Sequence, residues 1–320
     1  MSSTNTEYVF PHSPVSIAGA PVQPLQISPL THAVIRLPPI KACLFDMDGL
    51  LINTEDMYTA TVNTILSGYG RPPMPWSLKA QLQGRPYPQA TKVFLEWAQI
   101  PITVEEYTKK VAEIQQRLFP TCAPLPGAVQ LISDLSSTAS TPNPVHIALA
   151  TSSTMRNFHL KTDHLQDLFR LFPESRRVVG DDPRIGAGRG KPLPDIYLLA
   201  LETINSELRA EGKPEIKPEE CLVFEDSVSG VEAGRRAGMQ VAWVPMEGLL
   251  NEYRGKEDLV LAGKTGEHKD GELPPLEKPE EWRKASPGKA GEIGDGFGRM
   301  FMSLENFPYE SYGMKIAAKN

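Results

Sequence analysis

Four short stretches of this chain carry residues that ordinary packing does not call for. In the first, the apolar run Ala42-Cys43-Leu44-Phe45 breaks off into Asp46-Met47-Asp48-Gly49. The run reads as a short buried strand, and side chains two residues apart leave a strand on the same side, so Asp46 and Asp48 converge at its carboxyl end. Two like charges that close repel each other unless a cation or a reaction needs them. In the second, His146-Ile147-Ala148-Leu149-Ala150 ends in Thr151-Ser152-Ser153, where hydroxyls and backbone N–H groups ahead of a helix can hold a phosphate. In the third, Lys191 lies in Gly188-Arg189-Gly190-Lys191-Pro192, a loop shaped by glycine and proline just before a helix. In the fourth, Leu222-Val223-Phe224 ends in Glu225-Asp226-Ser227, a second acidic pair at a strand end.

Each stretch has an ordinary explanation when taken alone. Asp and Gly are common turn formers, and Asp-x-Asp-Gly also occurs in calcium loops. A hydroxyl ahead of a helix is usually an N-cap, and a lone lysine usually a surface charge. Together they are more specific: four strand-associated loops offer two acidic pairs, a hydroxyl cluster and one lysine, the chemistry of a phosphate held beside a hard divalent cation.

The elements that must position these groups follow from the apolar pattern. Residues 1–37 are rich in Ser, Thr, Pro and Ala without a sustained period, which predicts a flexible arm. Tyr58, Val62, Ile65, Leu66 and Tyr69 recur at helical spacing; Leu78 and Leu82 mark a second helix and Val93, Phe94 and Trp97 a third. Thr103 and Glu106 form a capping-box pattern ahead of a fourth. Four helices with no strand between them predict an inserted helical cap over 55–124. Gly84-Arg85-Pro86 lies in one of its loops, and Gly84 and Arg85 are the cap's candidates for substrate specificity, since an arginine there can reach a cleft and pair an anion.

From Gly127 helix and strand alternate. Strands are expected at 146–150, 177–180, 221–224, 241–244 and 258–261, and helices at 129–135, 155–172, 195–208 and 230–237. The pattern implies an α/β fold, a Rossmann-like doubly wound parallel sheet with the cap inserted, whose ligands bind beyond the carboxyl ends of the strands. The core is assigned to 38–54 and 125–262. Residues 263–299, crowded with Gly, Pro, Lys and Glu, read as a mobile insertion, and 300–320 should pack back on the core.

The bulk properties narrow the function classes. The 320 residues carry a net charge of −6, with no Lys/Arg cluster that would track a nucleic acid. The longest apolar runs are strand-sized, against roughly 20 residues for a membrane span. Three widely spaced cysteines fit reduced thiols better than a disulfide framework or a metal site, and the start of the chain lacks the features of a secretory signal or presequence. The expectation is a cytoplasmic monomer, the nucleus remaining open to it. Its partner would be a small phosphorylated metabolite rather than nucleic acid or membrane, with the flexible arms available for docking.

In order and in type, Asp46-Met47-Asp48-Gly49, Thr151, Lys191-Pro192 and Glu225-Asp226-Ser227 resemble the four motifs of the haloacid dehalogenase superfamily of phosphohydrolases, in its capped subgroup. The likeness runs from about Lys41 to Leu261. Phe119-Pro120-Thr121, Leu125-Pro126-Gly127-Ala128, Gly180-Asp181-Asp182-Pro183 and Gly238-Met239-Gln240-Val241 further resemble the pseudouridine 5′-phosphatases within it. The resemblance implies that Asp46 attacks phosphorus to give an aspartyl-phosphate, and that Asp48 protonates the leaving oxygen and later takes a proton from water. It implies Mg²⁺ held by Asp46, Asp226 and the Asp48 carbonyl, with Glu225 contributing directly or through water, and phosphate held by Thr151, Ser152 and Lys191. Burial and neighbouring charge are expected to raise the Asp48 pKa.

The resemblance makes pseudouridine 5′-phosphate the leading candidate substrate. A sugar-phosphate phosphatase or a hexose-phosphate mutase of the β-phosphoglucomutase type could use the same core, and a non-catalytic phosphate-binding scaffold could keep the fold. Asn53 stands where many relatives carry Asp, a departure near the cap hinge.

Overall fold

Short apolar runs that are buried on both sides pair most readily as parallel strands inside a sheet. Here Ala42–Phe45 (β1), His146–Ala150 (β2), Arg177–Val178 (β3), Cys221–Glu225 (β4), Gln240–Trp243 (β5) and Gly298–Met300 (β6) form one parallel sheet in the order β3-β2-β1-β4-β5-β6. The computed structural model describes residues 37–266, Trp282 and 288–316. The predicted arm over 1–37 therefore lies outside the described residues except for Leu37, as does most of the predicted insertion over 263–299.

Strand order reverses between β1 and β4, and such a switch opens a crevice beyond the carboxyl ends of both strands. Phe45 pairs with Leu149 on one side and Phe224 on the other, so the residues after Phe45 emerge beside those ending β2 and β4. The two sheet faces take alternate residues. Cys43, Phe45, Leu149 and Phe224 join one apolar cluster, and Leu44, Ala148, Val223 and Trp243 join the other. The Phe45 and Phe224 rings stack with centroids 4.5 Å apart directly under the acidic loops.

Between β1 and β2 run Thr54–Gly68 (α1), Trp76–Leu82 (α2), Tyr87–Ala98 (α3) and Val104–Leu118 (α4). They bury Ile65, Leu66, Phe94, Tyr107 and Val111 in an apolar cluster of their own. The capping box is formed: Glu106 N donates to Thr103 Oγ1 at 3.2 Å, and Thr103 N to Glu106 Oε2 at 3.0 Å. The segments entering and leaving this insertion are stitched together. Ile52 and Pro124 form an antiparallel bridge, Asn53 N donates to Ala123 O at 3.0 Å, and Asn53 Oδ1 accepts from Ala123 N at 2.8 Å.

The remaining helices are Ala128–Ser137 (α5), Met155–Thr162 (α6), Gln166–Phe169 (α7), Asp195–Ala210 (α8), Val228–Arg236 (α9), Glu247–Glu252 (α10) and Glu257–Leu261 (α11). Two expectations change. The helix predicted over 155–172 is broken into α6 and α7. The strand predicted over 258–261 is α11, whose Val260 is buried against the cluster containing α9. The sheet's last place is taken instead by β6, paired parallel to β5. Gly291 N donates to Ala262 O, and Arg235 on α9 pairs with Asp295, so the described part of 288–300 packs on the core. Among the described residues no helix is long and apolar enough to cross a membrane.

Candidate active site

The pairing of β1 with β4 sets the first half of the site. Asp46 N donates to Phe224 O at 3.1 Å, and Asp46, Glu225 and Asp226 bring carboxylate oxygens within 4.8 Å of one another. Lys191 Nζ enters this group, donating to Asp46 Oδ1 at 2.5 Å and to Glu225 Oε1 at 2.6 Å. The loop carrying it is anchored by a buried pair: Arg189 Nε donates to Asp195 Oδ1 at 2.7 Å, at the start of α8. Tyr197 OH donates to Glu225 Oε1, and Ser227 supplies both its N–H and its hydroxyl to Oε2. Trp243 Nε1 holds the backbone carbonyl of Asp226 at 3.0 Å. Gly49 lets the chain pass this close: its φ is +82°, and a Cβ there would lie 2.2 Å from Asp226 Oδ2.

This half carries more negative charge than its one ammonium offsets. Burial pushes the Asp46 carboxyl up to about 8, with Lys191 opposing and Glu225 and Asp48 adding to the rise. Asp226 is pushed well above the carboxylate range by burial and by the charges of Glu225 and Asp46. Three hard oxygen donors in such a deficit suit a divalent cation of the Mg²⁺ class. The carboxylate of Asp48 is not among them.

Asp48 instead belongs to a second, separate arrangement. Its Oδ1 accepts from Thr54 Oγ1 at 2.6 Å and from Lys161 Nζ at 2.5 Å; its Oδ2 accepts from Ser153 Oγ at 2.7 Å and from Thr151 Oγ1 at 3.4 Å. Burial alone would raise this carboxyl, but the Lys161 ammonium and the hydrogen bonds from Lys161, Thr54 and Ser153 outweigh it and hold the pKa below its ordinary value. The expected rise is therefore corrected. A second buried lysine, which the sequence reading did not single out, reverses its direction.

The four predicted loops thus meet at one rim, though not every residue acts as expected. Thr151 is buried, its hydroxyl accepting from Ser153 N at 3.1 Å. Ser152 Oγ donates to Gly84 O in the cap at 3.0 Å, and within this turn the Ser153 hydroxyl lies nearer to Asp48 than that of Thr151. Gly84 has φ +75°, and a Cβ there would meet Ser227 Oγ at 2.2 Å, so this glycine lets the cap press on the rim. Arg85 Nε turns back to Gln81 O at 2.6 Å. The cap reaches the acidic cluster through another unflagged residue, Gln83, whose Nε2 donates to Asp226 Oδ2 at 2.5 Å.

Between rim and cap lies a cavity of roughly 280 Å³. Asp46, Asp48 and Ser153 line it from the core; Tyr58, Tyr87, Phe94, Tyr107 and Thr91 are among the residues lining it from the cap. Gln83 Oε1 and Thr91 Oγ1 are buried there without a hydrogen-bond partner. A cap lysine, Lys79, pairs with buried Glu55 at 3.4 Å on the same wall.

Known proteins resemble this chain over much of its length. Residues 40–238 match the family described as haloacid dehalogenase-like hydrolase. A Saccharomyces cerevisiae protein named probable pseudouridine-5′-phosphatase is 44% identical over 235 residues, covering 73% of this chain and 93% of its own. A (DL)-glycerol-3-phosphatase of Arabidopsis thaliana is 36% identical over 241 residues, covering 75% and 72%. Among solved structures, a haloacid dehalogenase-type hydrolase from Entamoeba histolytica covers 67% of this chain and 87% of its own, with a TM-score of 0.51 at 23% identity, a likeness of fold.

Proposed function

Since the chain belongs to the haloacid dehalogenase-like hydrolases and is a phosphoric monoester hydrolase, we propose that it is a Mg²⁺-dependent phosphatase working through an aspartyl-phosphate, with pseudouridine 5′-phosphate as leading substrate. The observation that carries this reading is the meeting of Asp46, Glu225, Asp226 and Lys191 beneath a cavity that Asp48 also faces. In it, residues 38–54 and 125–262 provide the catalytic rim and 55–124 the cap that selects the ester.

In this reading Asp46, at the mouth of β1, attacks phosphorus with an oxygen of its carboxylate, splitting one hard displacement into two easier ones. Lys191 offsets charge on Asp46 and on the phosphoryl oxygens, with Thr151 and Ser152 on the other flank. Asp46, Asp226 and the Asp48 carbonyl would hold Mg²⁺, with Glu225 beside them. Bound there, the ion would supply neutralisation of charge on the phosphoryl group and on the attacking carboxylate. Asp48, ionised at rest, is ready to take a proton from the attacking water in the second step. For the first step it must carry a proton, which a phosphate dianion arriving beside it favours by like-charge repulsion.

The substrate assignment is supported by the cavity and by the yeast relative. The volume lies near the lower end of ligand sites, which run from about 300 to 1,000 Å³, and suits one small metabolite. Aromatic walls together with the unpartnered Gln83 Oε1 and Thr91 Oγ1 suit a flat, polar base better than an alkyl chain. A small polyol phosphate is the second reading, favoured by the Arabidopsis relative.

Purified protein offered pseudouridine 5′-phosphate, uridine 5′-phosphate, glycerol 3-phosphate, 2-deoxyglucose 6-phosphate and β-glucose 1-phosphate, with Mg²⁺ or with EDTA, separates the readings. Release of phosphate, fastest from pseudouridine 5′-phosphate and lost in EDTA, is expected. An isomerised sugar phosphate would make it a mutase, and no turnover of any ester would leave a phosphate-binding scaffold.

A further inference from the structure

Lys161 is as deeply buried as Lys191 and makes three hydrogen bonds to its two, yet it stands outside the acidic cluster. An ammonium has three N–H donors. Lys161 spends one on Asp48 Oδ1 at 2.5 Å, one on Tyr58 OH at 2.7 Å and one on Ser153 Oγ at 2.8 Å. Its Nζ also lies 4.7 Å from the Tyr58 ring centroid and 4.4 Å from that of Phe119. All three of its hydrogen-bond acceptors line the cavity, whereas Lys161 is wholly covered behind them. It therefore does not meet a ligand itself; it fixes the groups that do. Tyr58 comes from the cap, Ser153 from the turn after β2, Asp48 from the loop after β1 and Lys161 from α6, so the ammonium joins four separate parts of the chain.

We propose that Lys161 is a positioning residue for phosphoryl transfer, a buried ammonium that aims the Asp48 carboxylate, the Ser153 hydroxyl and the Tyr58 phenol at the leaving-group side of the cavity. The inference rests on the phosphatase reading and adds to it a residue acting through Asp48. Three consequences follow from the geometry. With its oxygen accepting from Lys161, the Tyr58 hydroxyl has its proton to offer elsewhere. With Ser153 Oγ likewise accepting from Lys161, its proton is directed to Asp48 Oδ2. With Lys161 and Thr54 on one oxygen and Ser153 on the other, Asp48 cannot swing into the metal side.

The effect of Lys161 should therefore depend on how much the leaving group needs a proton. Wild type, Lys161→Met, Asp48→Asn and the double variant are to be compared by kcat/KM, which reports transfer to the enzyme. One substrate is the best alkyl ester of the panel; the other is 4-nitrophenyl phosphate, whose anion leaves unprotonated. Lys161→Met is expected to cost at least about tenfold more on the alkyl ester than on the aryl ester, as loss of oriented acid catalysis does. Adding it to Asp48→Asn should cost no more than about twofold, because the two act as one unit.

Equal losses on both esters, or losses that multiply in the double variant, would overturn the proposal and make Lys161 a structural charge. If Lys161→Met alone fails to fold, the comparison of Asp48→Asn with the double variant, where neither charge is left unpaired, still decides it. Failure of the wild-type protein to hydrolyse either ester would instead remove the phosphatase reading on which the proposal stands.

Discussion

Two buried lysines meet carboxylates at the same rim, in surroundings that contrast. On the metal side, Lys191 sits among three buried carboxylates within 4.8 Å of one another, a set short of positive charge. On the acid/base side, Lys161 faces the single carboxylate of Asp48, backed by hydroxyls, a set that is balanced. The first arrangement is costly until a cation arrives; the second is complete as folded. In the proposed mechanism the first set would receive an ion and the second would hold a proton-transfer group still.

The strongest way to break this contrast is at the nucleophile. Asp46→Asn should keep the fold yet lower phosphatase turnover by at least about 10³-fold, since the attacking carboxylate is gone. Assay of the folded variant checks it, and turnover within tenfold of wild type would contradict the assignment.

Lysine removal sharpens the contrast. Lys191→Met leaves Asp46 and Glu225 uncompensated, and Lys161→Met does the same to Asp48, so each should destabilise the protein by about 3–5 kcal/mol. Only at the Lys191 side should Mg²⁺ restore part of the loss. Denaturant titrations with Mg²⁺ and with EDTA read this directly, and equal rescue of both variants would erase the distinction.

The charge deficit also gives a pH dependence. Asp46 is raised from its ordinary 3.8 to about 8 in the folded protein, so the folded state keeps a proton that the unfolded chain has released. Without Mg²⁺, that contribution to stability is full below about pH 4 and is lost as pH rises towards 8. A bound cation displaces the proton, so stabilisation by Mg²⁺ should grow over the same window. Melting in Mg²⁺ and in EDTA is expected to differ by on the order of 5 °C more at pH 8 than at pH 6. A constant difference would contradict it.

The smallest effect is expected away from both lysines, at the cap hinge. Asn53→Ala removes the acceptor for Ala123 N and should cost about 1 kcal/mol, with a few-fold rise in KM. Asn53→Asp keeps an acceptor there and should lie within about 0.5 kcal/mol of wild type, on thermal melts and initial rates alike.

How much of this was legible in the sequence follows the same division. The clustering of Asp46, Glu225, Asp226 and Lys191 was readable because they sit on loops that interrupt apolar strands, where an acid or a lysine has no packing reason to be. Lys161 lies inside α6 among Arg156, His159 and Asp163, in a stretch that looks solvated. Its only mark is a place three residues after Phe158, on the face that turns out to be buried. Gln83 is equally plain by type, and its contact with Asp226 spans 143 residues, a separation that no local pattern encodes.

The fold shows the same limits. The central strands were readable as apolar runs, whereas Gly298-Arg299-Met300 has no alternation to read and becomes β6 through backbone pairing with β5. Leu259-Val260-Leu261 was too short to tell a helix from a strand by period, and α11 emerged where a strand was expected.

Covalent capture tests the nucleophile at the centre of the site. Protein mixed with Mg²⁺ and the best ester of the panel, quenched rapidly in acid and digested, is to be searched by mass spectrometry for a phosphoryl adduct. A labile adduct on Asp46, absent from Asp46→Asn and, with 4-nitrophenyl phosphate, whose anion leaves unprotonated, accumulating when the second step is slowed by Asp48→Asn, is the expected result. Turnover with no covalent phosphoryl group at Asp46, or with the group on another residue, would contradict it.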